Sequence, residues 1–242
     1  MASKRRIRIA IAIVATAVAG AFGASVAFAG TNSSTYEPAL DPAHFVSVID
    51  NPYFPMPVGR TLIYKGVRDG QTQTDRVTVT SRTKVIEGIT ATVERDVARH
   101  DGTLLEQTTD WYAQDDQGNV WYLGEDTTAY NPNGTIDKSG SWLSGVHDGE
   151  PGIIMVAHPA VPDSYRQEYL KGQAEDMAWI VDRGGSVTVP FGTLDQTIRS
   201  IEVSRLEPDV VDQKIYAPGY GIVKELALAG DQEVAKLVKV IG

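Results

Sequence analysis

Eight side chains in this sequence have the types and grouping that binding or acid–base chemistry needs. Asp110, Tyr112, Trp121, Tyr122 and Glu125 lie within "DWYAQDDQGNVWYLGED"; Trp142 follows, and Glu168 and Asp176 come later in "YRQEY" and "QAED". A tyrosine offers both a stacking face and a hydroxyl, so Tyr112 and Tyr122 beside a carboxylate and an amide suit a polar pocket. Trp111, Trp121 and Trp142 would add apolar contact. Asp110 or Glu125, held across a pocket from Glu168 or Asp176, would form the two-carboxylate arrangement that glycoside hydrolysis uses.

The element that must position the first group is a hairpin. "DDQG" at 115–118 suits a type I turn with Gly118 in the left-handed region and a G1 bulge. That turn pairs Asp115 with Asn119, sets Ala113 opposite Trp121 and sets Trp111 opposite Leu123. One face is then apolar, which predicts core packing for Trp111 and Trp121. The other carries Tyr112, Tyr122, Glu106, Thr108, Asp110 and Gln114, and reads as a solvated face or a pocket lining. Glu125 falls on the apolar side, where a carboxylate must sit at the rim, be paired, or have a raised pKa. A two-residue turn would instead set Asp110 against Glu125, which is unfavourable unless a cation or a shared proton joins them.

Period-two patterning with Gly-containing turns runs from Thr61 to Tyr130 and predicts a five-stranded antiparallel meander. Residues 131–163 are rich in Gly and Pro and far longer than the usual connection of about 4–6 residues. Their Trp142 and "GIIM" patch predict packing, as a lid over Glu125, Glu168 and Asp176. Strands resume toward the C-terminus, although "YRQEYLKGQAEDMAWIV" also reads as a helix. Residues 30–60 form an irregular lead-in, in which Asp41 and Pro42 can start a short helix. The fold class is all-β: a curved antiparallel sheet, an open or half β-barrel, with a long Gly/Pro-rich loop, in a single domain over 61–242.

The first 29 residues read as a secretory signal: a basic start, an apolar run and Ala27-Phe28-Ala29 at the end. They hold four basic residues and no acid, so without them the balance is 18 basic against 31 acidic. That balance argues against nucleic acid and anionic membrane surfaces as partners. With no Cys there is no disulfide and no lipid-anchored cysteine. His147, Glu150 and His158 could form a two-His, one-carboxylate set, but their spacing matches no zinc-protease helix motif, and no metal is expected. Nucleophile-elbow, P-loop and dinucleotide fingerprints are absent, so no cofactor is expected.

Three stretches, "NPYFPMPVGRTLIYKG", "DWYAQDDQGNVWYLGED" and "YAPGYGIVKE", together resemble a group of exported bacterial β-rich proteins of unknown function. The resemblance spans most of residues 50–240. It implies a curved sheet or half-barrel, comparable in outline to periplasmic lipoprotein carriers, and an export route. It supplies no catalytic residues.

The sequence therefore favours a secreted, extracytoplasmic binding protein whose partner is a small or amphipathic molecule held in a β-sheet pocket. No membrane span remains after signal cleavage. The alternative is a carboxylate-dependent extracellular hydrolase or lyase, and a third reading is a pocketless structural partner in the cell envelope.

Overall fold

The computed structural model describes residues 36–68, 70–230 and 232–242. The expected signal at 1–29 lies outside the described residues. β-Branched and aromatic residues alternating with polar ones favour strands throughout. Five form the first meander: β2 (Thr61–Arg68), β3 (Gln71–Ile86), β4 (Ile89–His100), β5 (Thr103–Asp115) and β6 (Val120–Tyr130). β1 (Phe45–Val46) pairs with the end of β5. A second meander comprises β12 (Asp176–Val189), β13 (Gly192–Ser204), β14 (Glu207–Ala217), β15 (Gly221–Ala229) and β16 (Glu233–Ile241). Pairing of β16 with β2 joins the two meanders into one antiparallel sheet.

The segment expected as a lid carries three short strands, β7 (Ile136–Asp137), β8 (Trp142–Leu143) and β9 (Glu150–Met155), all laid along β6. Trp142, Ile154 and Met155 are buried there. The stretch that also read as a helix forms β10 (Ser164–Arg166), β11 (Glu168–Tyr169) and the start of β12. β10 pairs with β12 and β11 pairs with β9, so residues 164–169 bridge the two ends of the sheet. The Gln167 N–H between them donates to the Asp176 carbonyl at 2.8 Å. The curved sheet expected from the sequence therefore curls beyond a half-barrel, into a nearly closed barrel with one seam. Among the described residues no helix is long and apolar enough to cross a membrane.

In the lead-in, the helix is a single 3-10 turn, Pro42–His44, with the Asp41 carboxylate accepting the Ala43 N–H. The chain then plugs one end of the barrel. Gln114 Oε1 accepts the N–H groups of both Asp50 and Asn51, and Phe54 and Met56 pack against Tyr112, Tyr122, Ile198, Tyr216 and Ile222. These partners come from both meanders, so the face carrying Tyr112 and Tyr122 is the barrel interior. The apolar face with Trp111, Ala113 and Leu123 lies on the outside instead, where Leu40 and Phe45 cover it. The sheet thus buries both faces of this hairpin.

Candidate functional site

The site follows from one irregularity in the hairpin. Gly118 adopts φ 95° in the turn, and Ala113 pairs with Trp121 and Tyr112 with Tyr122. The register then shifts, so that Trp111 faces Gly124 and not Leu123. Leu123 is the extra residue of a β-bulge and stays outside with Trp111. Beyond the bulge the phase changes, and Glu125 lies opposite Asp110 inside the barrel. The expectation that Glu125 lies on the apolar side is corrected by this bulge, which brings the two acids face to face without a two-residue turn. The bulge uses Gly124 at φ 135°, where a Cβ would lie 2.6 Å from the Trp142 carbonyl oxygen.

Strand alternation repeats this pattern along the wall. Asp110 pairs across to Glu94, Thr108 to Asp96, and Val77 of β3 also to Asp96. Asp75 follows two residues along β3. Twelve acidic side chains are buried among the described residues, against two cationic ones, Arg68 and Lys214. Lys214 forms an ion pair with Glu202 at 2.7 Å on the opposite wall, and Glu202 accepts hydrogen bonds from Ser200 and Tyr216. On the first wall Tyr122 O–H donates to Asp110 at 2.6 Å, and Thr127 O–H donates to Glu125. Neither carboxylate oxygen of Asp96, only 3% exposed, has a hydrogen-bond partner among the described residues.

Buried carboxylates without counter-ions hold their protons. Burial, then the charge of Asp110, pushes Glu94 up to about 8. Burial pushes Asp110 up to about 7, against the hydrogen bond from Tyr122. Asp75 also rises to about 7 through burial, opposed by the hydrogen bond from Gln73. Asp96 and Glu125 lie well above the carboxylate range, through burial and then neighbouring acids. Burial lowers the pKa of Lys214, but Glu202 and Glu225 outweigh it and keep the ammonium charged.

Seven of the eight residues singled out from the sequence meet in this interior. Asp110, Tyr112, Tyr122 and Glu125 project from β5 and β6. The Tyr112 and Tyr122 rings stack with centroids 4.8 Å apart. Trp142 is the register partner of Glu125 and meets Tyr122 edge-on at 5.3 Å. Glu168 and Asp176 are buried at the seam, where Asp176 helps raise Glu125 and Glu168 helps raise Tyr122. Trp121 is the exception. It sits on the outer face, and its indole N–H donates to Asp115 at 2.8 Å.

Glu94, Asp96 and Asp75 were not singled out in the sequence. In "TVERDVAR" the valines and arginines share one phase and the acids the other, so the strand reads as if its acids faced water. A cavity of about 30 Å³ lies beside this wall, lined by Phe54, Met56, Tyr64, Val77, Val79 and Ile222, with Glu94 as its carboxyl and Arg60 as its cation. That is room for one or two waters. The described residues contain no group of three or more His, Asp or Glu side chains arranged to hold a metal ion.

No family model matches this sequence, and no curated protein matches it. Two solved structures are similar in outline. One, from Bacteroides fragilis, is described as an exported protein with a YmcC-like fold; it shares 16% identity over 78% of this chain and 99% of its own, with a TM-score of 0.45. The other, from Parabacteroides distasonis, is described as a lipoprotein; it shares 15% identity over 79% of this chain and 99% of its own, with a TM-score of 0.43.

Proposed function

We infer that the chain is an exported binding protein that holds a small amphipathic amine inside the barrel. The observation that carries this is the cavity lined by the apolar Phe54, Met56 and Ile222 and by Glu94, with Arg60 as its one cation, together with the unpartnered carboxylate of Asp96 on the same wall as Glu94. An alkyl chain would displace the plug residues Phe54 and Met56. Its ammonium would pair with the Glu94–Asp96–Asp110–Glu125 wall, none of whose carboxylates is in an ion pair among the described residues; Arg60, the cavity's own cation, donates to the Gly219 carbonyl. Because burial raises Glu94 to about 8 and Asp110 to about 7, both still carry protons near neutral pH, so such binding would release protons and would strengthen as pH rises.

The experiment is calorimetric titration of the protein with n-octylamine, in buffers of different ionisation enthalpy. The expected result is saturable binding with proton release, lost in Glu94→Gln, while n-octanol binds far more weakly. Equal binding of the alcohol, or binding unchanged in the variant, would refute this reading. Mass spectrometry of molecules that co-purify with the exported protein gives a second test.

A further inference from the structure

The outer surface of the same wall has the opposite charge. Strand alternation that sends Asp75, Glu94 and Asp96 inward sends Arg76, Arg95 and Arg99 outward, all exposed. They line a groove of about 620 Å³ across β2 to β5, together with Ile63, Thr74, Thr78, Thr80, Val97 and Gln107. Among the described residues no carboxylate lies within ion-pair range of any of the three arginines. Arg95 donates to the Gln107 side chain at 3.1 Å and Arg99 to the Gly102 carbonyl at 3.1 Å. Exposed Lys65 pairs with Thr74 at the edge of the groove. The overall charge of −9 conceals this, because much of the acid is inside.

We propose that this groove is a second binding site, independent of the interior, that holds an acidic polysaccharide. Guanidinium groups bind carboxylates through paired N–H donors. Arg95 and Arg99 are four residues apart on one strand, a separation of about 13 Å along it, and Arg76 lies on the neighbouring strand opposite Val97. Anionic groups recurring along a chain would meet these donors in turn. The threonine hydroxyls and Gln107 suit a hydroxyl-rich backbone, and Ile63 and Val97 suit the C–H faces of sugar rings. Two other polyanions fit less well. The groove has no aromatic lining residue on which a nucleobase could stack. It is concave and presents only two apolar side chains, so it matches a chain better than a planar bilayer.

The test uses the full exported chain and oligogalacturonate, with neutral dextran as the control, at low and high salt. The expected result is saturable binding of oligogalacturonate that weakens with salt, and none of dextran. Arg76→Gln, Arg95→Gln and Arg99→Gln should each weaken it roughly five- to tenfold, with Arg183→Gln, elsewhere on the barrel, unchanged. In the unsubstituted protein, amide shifts should concentrate on Thr74, Thr78 and Val97, which tests the site without depending on any variant. Absence of binding at low salt, shifts elsewhere, or tighter binding of oligo(dT) or of anionic phospholipid vesicles would overturn the proposal.

Discussion

Raising the pH from 5 to 8 should destabilise this protein, and Glu94 should account for a large part of the loss. Its side chain is 6% exposed, and its pKa rises from an ordinary 4.5 to about 8 on folding. Between those values the folded chain binds more protons than the unfolded chain, so stability falls as pH rises through the window. At pH 5 the contribution is nearly complete; by about pH 8 most of it has gone. The full shift corresponds to about 5 kcal/mol at ~1.4 kcal/mol per unit, and water penetration should reduce the measured loss to roughly 2–4 kcal/mol. Asp75 and Asp110, both raised to about 7, should add to the slope in the same direction. The assay is urea unfolding followed by tryptophan fluorescence at pH 5, 6, 7 and 8. Glu94→Gln replaces the acid with a neutral isostere, so the variant should match the parent at pH 5 and exceed it at pH 8. Stability that is flat or rising over this range in the parent, or a variant with the parent's full slope, would show that the interior acids are hydrated and charged.

Two further substitutions test the geometry. Gly124→Ala should cost about 2–4 kcal/mol, since the new Cβ meets the Trp142 carbonyl oxygen at 2.6 Å in a backbone conformation that only glycine adopts readily; thermal unfolding measures it, and a neutral result would remove the bulge. Lys214→Met leaves Glu202 and Glu225 without their buried cation and should cost about 3–5 kcal/mol at pH 8. The cost should shrink at pH 5, where Glu225, already pushed toward its neutral form by burial, takes up a proton; equal losses at both pH values would contradict the buried ion pair.

Much of the fold is legible in the residues themselves. Alternation from Thr61 to Tyr130 with glycine-containing turns determines the first meander, because side-chain direction in a strand has a period of two. "DDQG" determines the turn at Gly118, and the prolines at 52, 55 and 57 determine an irregular lead-in. The clustering of Asp110, Tyr112, Tyr122 and Glu125 on one face follows from the same local rules, save for the phase of Glu125. That phase depends on the bulge at Leu123–Gly124, where strand β8 approaches so closely that no side chain fits. Only the closed barrel decided which face of each strand is inside. "TVERDVAR" carries an apolar–basic phase and an acidic phase, and local chemistry favours burying the valines. Closure through residues 164–169 put the acids inside instead, because Leu40 and Phe45 could cover Val93 and Trp111 from without. The basic outer groove has the same origin. Net charge is a sum over the chain, whereas the charge a partner meets depends on which residues the sheet turns outward.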